Sequence, residues 1–159
     1  MNRIRIKAGK KIYETIKDGG FNFDSVSTYF GPAVGPRWLV ASGFDQTLLQ
    51  GGFLGRAKPV HLIGASAGAF RFAAWLQPEA IKSYQKLLDA YINVQYTKDD
   101  TPATSLEKIT GIINEYLEND ALPFALANKK YRLSVITARS RGLVAFENAI
   151  LQKMGLAAC

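Results

Sequence analysis

The sequence predicts an α/β domain with a mainly parallel sheet. KPVHLIG (58–64) is a short, nearly continuous apolar run, which is typical of a strand buried on both faces of a parallel sheet, and YRLSVITA (131–138), rich in β-branched residues, predicts a second strand. Segments with helical periodicity lie between and after these runs, and this alternation is typical of strands joined by crossover helices. The 159 residues, 48% of them hydrophobic, are enough for one domain with a sizeable core and too few for two ordinary ones.

The first part of the chain predicts a helix, a strand and a second helix. Helical periodicity over residues 8–16 stops at Gly19-Gly20, which indicates a short helix with a glycine stop. The β-prone run DSVSTYFG (24–31) follows. A loop, GPAVGP, then leads to a helix whose first position is Pro36 and which ends at Gly51.

The remaining segments predict mainly helices around the second strong strand. Residues 69–76 are apolar on nearly all sides, which is normal for a helix buried in a domain centre. Residues 79–96 predict a more amphipathic helix. Thr104 and Glu107 have the spacing of a capping box in front of a third helix, and LVAFENAILQKMGL (143–156) predicts a final one.

The charge of the chain predicts an anionic partner. Lys and Arg number 20 against 13 acidic residues, a formal charge of +7, and the excess begins in MNRIRIKAGKK. The alternative is an ordinary solvated basic face. Because no nucleic-acid-binding motif or basic stripe with interleaved aromatic residues accompanies the charge, we expect no nucleic acid, and a peripheral contact with an anionic membrane is the expected interaction.

Cysteine content and hydropathy indicate a cytoplasmic protein that can visit a membrane surface. The one cysteine, Cys159, can form neither a disulfide nor a cysteine-based metal site within the chain. The first twenty residues contain no apolar signal region, and no later run approaches eighteen apolar residues. The ending GLAAC has no polar tail, so we expect the natural protein to continue beyond residue 159.

Ser66 is the candidate nucleophile. With Gly64 and Gly68 it forms G-x-S-x-G between the predicted strand and the apolar helix, where serine hydrolases build the nucleophile elbow. Such a turn strains the serine backbone, and its flanking residues must be small because side chains would collide across it. The helix amino terminus would stabilise negative charge, with the Ala67 amide as one oxyanion donor.

A serine nucleophile needs a base, and the one histidine does not fit this role. His61 lies five residues before Ser66 in the same predicted strand, which puts it on the order of 16 Å away. We therefore expect a structural or solvent-facing histidine, with the base a carboxylate or a group outside these residues. Asp18, in KDGGF, is expected near a helix C-cap rather than at the site.

An elbow that follows a glycine-rich loop and works without histidine resembles the patatin-like phospholipases. Residues 31–49, GPAVGPRWLVASGFDQTLL, and residues 60–70, VHLIGASAGAF, are similar in order and spacing to that family's G-G-G-x-R/K-G loop and G-x-S-x-G motif. GASAGA differs from the family's common GTSAGA only at Ala65. The resemblance covers residues 27–75 well, and LSVITARSRG more loosely.

The resemblance implies an oxyanion hole made by loop amides near Ala33 and Val34 together with the Ala67 amide. Pro32 and Pro36 have no amide hydrogen, so they cannot donate. Which loop amide points inward stays open. The other interpretation is a proline-bounded connector that merely starts a helix.

The family's catalytic aspartate stands in a D-G-G or D-G-A triplet, and none follows Ser66 here. The resemblance implies a three-layer α/β/α fold, with residues 1–159 as the N-terminal portion of a single, incomplete domain. It further implies a lipid acyl hydrolase that cleaves carboxylic esters of phospholipids or related lipids through an acyl-serine. The Ser-Asp dyad would take its aspartate from beyond residue 159, so this chain alone would be inactive. No metal or other cofactor is implied.

Two other functions remain open. A phosphate-binding module would use GASAG to hold a phosphate at the helix amino terminus, although the P-loop lysine and the G-x-G-x-x-G pattern are both missing. The second open function is that of a catalytically inactive, hydrolase-like module used for interaction.

Overall fold

A computed structural model describes residues 7–139 and 150. One parallel sheet has the strand order β1-β2-β3, with strands at Thr28–Gly31, Val60–Ala65 and Tyr131–Ile136. These residues therefore confirm the predicted α/β class and the parallel sheet. The six helices of the described part of the chain are α1 (Lys10–Gly19), α2 (Ser42–Gln50), α3 (Ala67–Trp75), α4 (Ala80–Asn93), α5 (Pro102–Tyr116) and α6 (Ala121–Ala127).

Helices cover one face of the sheet, and α3 packs across all three strands. Val60 and Leu62 of β2 are buried against this helical layer. The opposite face is open among the described residues, since Phe30, His61 and Ile136 are all exposed. The prediction that the KPVHLIG strand is buried on both faces is therefore wrong for these residues, because β2 is fully covered on one face alone. Right-handed crossovers between strands that advance in one direction lie on the same face, which explains the one-sided cover. The second helical layer of a three-layer fold is not present among residues 7–139.

α3 is the centre of the core, as its apolar composition predicts. Seven of its nine residues are buried. The rings of Phe72 and Trp75 lie 5.2 and 5.7 Å from the ring of Tyr29 on β1, measured between centroids. On the other side, Trp75 lies 5.6 Å from Tyr131 on β3. Aromatic contacts to both outer strands thus fix the helix that follows Ser66.

Several elements differ from the sequence prediction. The β-prone run over residues 24–31 is a strand only over Thr28–Gly31, because Phe23–Ser25 forms a 3₁₀ turn that the Asn22 side chain caps. The segment that starts near Pro36 is a 3₁₀ helix over Gly35–Ala41, and regular helix begins only at Ser42; such tight turns are frequent at helix amino termini. α6 was not predicted, because seven residues are too few for helical periodicity to be evident. The predicted final helix, 143–156, lies outside the described residues apart from Ile150.

α5 begins one turn before the predicted capping box. Thr101 is the N-cap: its hydroxyl accepts from the Thr104 amide at 3.2 Å, and the Thr104 hydroxyl accepts from the Thr101 amide at 2.9 Å. Pro102 favours this start because the first helical position needs no amide donor. The box therefore pairs Thr104 with Thr101 rather than with Glu107.

Asp100, beside this cap, forms an ion pair whose effect on stability depends on pH. The Lys108 Nζ lies 2.7 Å from each carboxylate oxygen. This hydrogen bond, then that from the Thr97 amide, lowers the pKa of Asp100 below its ordinary value. Because the pKa of Asp100 is lower in the folded state, the ion pair stabilises the fold at pH values above the ordinary pKa of about 4. This contribution is lost as the pH falls through the folded-state pKa.

We expect Asp100→Asn to lower the urea midpoint of unfolding at pH 7, and the difference from the wild type to shrink as the pH falls below about 4. Urea unfolding followed by far-UV circular dichroism at several pH values measures this. Asp99→Asn, at the exposed neighbouring position, is the matched control and should show no such convergence. A difference for Asp100→Asn that stays constant with pH would contradict the ion pair.

α1 stands apart from the core. None of its residues is buried, and Gly20, with φ 75°, closes the helix through an amide that donates to the Ile16 carbonyl. The glycine stop predicted at Gly19-Gly20 is thus confirmed, with Gly20 as the C-cap. Asp18 lies in the last turn, as expected from KDGGF. In the part of the chain that is described, no helix combines the length and apolar character that crossing a membrane requires.

Candidate active site

Ser66 forms the turn between β2 and α3, at the edge of the sheet where the parallel strands end. Its backbone angles are φ 49° and ψ −122°, and no other non-glycine residue in the described part of the chain has a positive φ. Holding a serine in this region costs about 1–3 kcal/mol, so the surrounding structure must impose it. The Ser66 carbonyl accepts from the Ala69 and Phe70 amides at 2.8 and 3.2 Å, which starts α3.

Three glycines allow the close approach on which this turn depends. A Cβ at Gly64 would lie 2.6 Å from the Ala69 Cα, and one at Gly31 would lie 2.9 Å from the Gly68 Cα. A Cβ at Gly68 would overlap the carbonyl oxygen of Gly31. Backbone contacts therefore leave no room for a side chain at Gly64 or at Gly68. The contact between Gly31 and Gly68 also joins the end of β1 to the first turn of α3.

The Ser66 hydroxyl is exposed beside donors that can stabilise an anion. It makes no capping bond to α3 and has no hydrogen-bond partner among the described residues. The first amides of a helix, here beginning with Ala67, have no intrahelical acceptor, and the helix dipole adds partial positive charge at this end. Negative charge that develops next to Ser66 would therefore be favoured.

The loop after β1 starts next to the elbow because Gly31 contacts Gly68. Ala33 is exposed and Val34 is partly buried, and neither amide donates to another described residue. The Val34 carbonyl accepts from the Arg37 amide at 3.3 Å, which closes the turn. Both amides thus remain available as donors in the loop that adjoins the elbow.

The structure does not bring His61 to Ser66. The imidazole Nε2 lies 2.7 Å from the Ser134 Oγ on β3, on the open face of the sheet. The sequence did not indicate this pair, because it depends on the register between β2 and β3. His61 therefore has a partner of its own, away from the elbow.

Asp45 lies in α2, between the two motifs, and its carboxylate is fully occupied. The Tyr29 hydroxyl and Arg71 Nη2 donate to its Oδ1 at 2.7 and 2.8 Å. Arg71 Nε and the Tyr84 hydroxyl donate to its Oδ2, both at 2.7 Å. Four donors take up the carboxylate, so Asp45 is not available as a base. In the described residues, no carboxylate hydrogen-bonds to Ser66.

The ion pair at the centre of this cluster is buried. The side chains of Arg71 and Asp45 are 3% and 0% exposed. Burial, followed by the charge of Asp45, raises the pKa of Tyr29 and of Tyr84, so both hydroxyls stay protonated and donate. Burial alone would lower the pKa of Arg71, but the hydrogen bonds to Asp45 and its charge outweigh this and raise it. The cluster joins β1, α2 and α4 to α3, the helix that follows Ser66.

Sequence reasoning gave Asp45 and Arg71 no role, although one signal was present. Each is the only charged residue of its helix, α2 and α3 respectively. Charged residues are almost never buried unless paired. One acidic and one basic residue in two otherwise uncharged helices, one of them apolar on nearly all sides, therefore indicate a buried ion pair.

A cavity of about 360 Å³ opens beside the loop after β1. Val34, Pro32 and Arg37 line it from the loop, and Tyr29 and Arg71 line it from the buried cluster. Ser66 is not among its lining residues. The cavity therefore lies next to the loop, and Ser66 does not open into it.

The residues that carry the family resemblance meet at one place in the fold. Gly31, Gly64, Ser66 and Gly68 form a single contact unit, and the loop with Ala33 leaves from it. Comparison with models of known protein families, with curated proteins and with solved structures found no match to this chain, so the resemblance stays a prediction.

Proposed function

We propose that this protein is a serine acyl hydrolase in which Ser66 attacks the carboxylic ester bonds of phospholipids or related lipids. The observation that carries the proposal is the backbone of Ser66, which is strained at φ 49° in a turn that presents an exposed hydroxyl. Glycine would adopt these angles without steric cost. A serine held there at a cost in stability is the arrangement that nucleophile elbows use.

The chemistry follows from the donors around the hydroxyl. The Ser66 Oγ attacks the ester carbonyl carbon while its proton passes to a carboxylate, and the carbonyl oxygen becomes an oxyanion. The Ala67 amide and an amide of Ala33 or Val34 hold this oxyanion. Collapse expels the alcohol, which takes the proton, and leaves an acyl-serine that water hydrolyses with the same carboxylate as base.

The proposal assigns the base to an aspartate beyond residue 159, in a patatin-like fold of three layers. Two observations support a base outside the described residues. Asp45 is occupied by four donors, and His61 is paired with Ser134. The open face of the sheet, with Phe30 and Ile136 exposed, is where a second helical layer would pack.

A fluorophosphonate probe tests the nucleophile. Protein expressed from its complete open reading frame is expected to react at one serine, identified by mass spectrometry as Ser66, and Ser66→Ala should abolish labelling. Ser134→Ala is the matched control, because Ser134 is the serine bonded to the histidine; it should label normally. Labelling at Ser134, or no labelling of the intact protein, would refute the assignment. A phosphate-binding module would instead gain thermal stability from inorganic phosphate in wild type and Ser66→Ala alike.

Turnover by residues 1–159 alone tests the missing base. We expect this chain to hydrolyse p-nitrophenyl butyrate very weakly or not at all above background, since no carboxylate is bonded to Ser66 among its described residues. Substantial turnover that Ser66→Ala removes would show that the chain already contains its base.

A further inference from the structure

We infer that α1 binds the surface of an anionic membrane. This inference does not rest on the proposed hydrolase activity. α1 has ten residues and none of them is buried. Helices this short are marginal in water without packing against an apolar face. Because α1 buries so little of its surface against the rest of the chain, another surface is needed to cover its apolar side.

The apolar side chains of α1 form one stripe. At about 100° per residue, Ile12 and Ile16 lie on one side of the helix with Tyr13 at the margin. Ile12 and Tyr13 are 49% and 50% exposed. Phe21, which follows the helix, is 43% exposed and meets Phe23 edge-on at 4.9 Å. Ile12, Tyr13 and Phe21 thus leave apolar surface exposed, and Ile16 is partly buried.

The charges of α1 are arranged around this stripe. By the same helical geometry, Lys10 and Lys17 border it on the side of Tyr13, whereas Lys11 lies with Glu14 and Asp18 on the far side. The Lys17 Nζ also lies 3.6 Å from the Glu14 carboxylate. Lysines at the border can extend their amines to the headgroups while the isoleucines enter the acyl boundary. Carboxylates on the far side stay in water.

This charge pattern favours an anionic bilayer over a second copy of the chain. Two copies packed stripe to stripe would bring the border lysines towards each other. The stripe of Ile12, Ile16 and Tyr13 is also too small for a stable interface, which buries at least about 1,000 Å². Anionic headgroups complement the same lysines, each of which contributes about 1 kcal/mol near such a surface.

Sedimentation with vesicles tests the inference on the intact chain. We expect binding to phosphatidylcholine vesicles that contain phosphatidylserine, weak binding to pure phosphatidylcholine, and weakening by salt. Replacing Lys10 and Lys17 by glutamine should weaken binding about 30-fold. The matched control replaces two exposed lysines elsewhere, Lys98 and Lys129, which gives the same net charge; it should bind nearly as wild type.

The apolar contribution is tested by Ile12→Gln and Ile16→Gln, each expected to weaken binding about tenfold. Far-UV circular dichroism with vesicles present should show helix gain in the wild type that the isoleucine variants lack. Absence of vesicle binding, equal binding to neutral vesicles, or equal loss in both double lysine variants would overturn the inference. A dimer in size-exclusion chromatography that Ile12→Gln dissociates would also overturn it, in favour of a second copy.

Discussion

Replacing Asp45 by leucine is expected to destabilise the protein by about 3–5 kcal/mol, because it leaves the Arg71 guanidinium charged and unpaired in the core. Arg71 is 3% exposed, so water cannot replace the lost carboxylate. Tyr29 and Tyr84 also lose their acceptor. Urea unfolding followed by circular dichroism gives the free energy. Tyr84→Phe removes only one of the four donors, so it should lower the free energy of unfolding by about 1.5–3 kcal/mol. This variant should stay folded, and it tests the cluster if Asp45→Leu does not fold.

The decisive control is the double variant Asp45→Leu with Arg71→Met. Apolar residues in place of both partners of a buried pair are often tolerated, so the double variant should be more stable than Asp45→Leu alone. Two independent sites would instead show additive losses. Additive losses would therefore contradict the pairing of Asp45 with Arg71.

The strands and the elbow could be predicted because their signals are local. An apolar run followed by G-x-S-x-G specifies a buried strand, a tight turn and a helix within a few residues. The strained φ of Ser66 and the small neighbours at Gly64 and Gly68 follow from the same turn. The β-prone run ending at Gly31 was also visible, but its contact with Gly68 was not, because two segments far apart in the chain create it.

The features that could not be predicted depend on tertiary structure. The bond between His61 and Ser134 requires the parallel register of β2 and β3. The open face of the sheet follows from strand order and crossover hand together. Asp45 and Arg71 lie 26 positions apart, and their side chains meet only in the tertiary structure. Single-residue patterns contain none of this information.

The contact between Gly31 and Gly68 leads to the second large effect. Gly68→Ala is expected to destabilise the protein by about 3 kcal/mol or more, since the added methyl overlaps the Gly31 carbonyl and only a backbone shift can relieve it. Alanine favours the helix over glycine by about 1 kcal/mol. The measured loss of stability is therefore the steric cost of the methyl group minus this gain in helix propensity. Urea unfolding with circular dichroism detection measures it.

Gly43→Ala is the matched control, because Gly43 is the second residue of α2 as Gly68 is of α3, and a Cβ there meets nothing within 4 Å. It should be neutral or stabilising by up to about 1 kcal/mol. Equal stabilities for the two variants would mean that β1 does not rest on α3. Because the same contact joins the loop of Ala33 and Val34 to Ser66, folded Gly68→Ala protein should also react more slowly with a fluorophosphonate than Gly43→Ala. If Gly68→Ala loses stability but is labelled at an unchanged rate, the contact between Gly31 and Gly68 supports the packing of the elbow but does not position the loop amides that we assign as oxyanion donors.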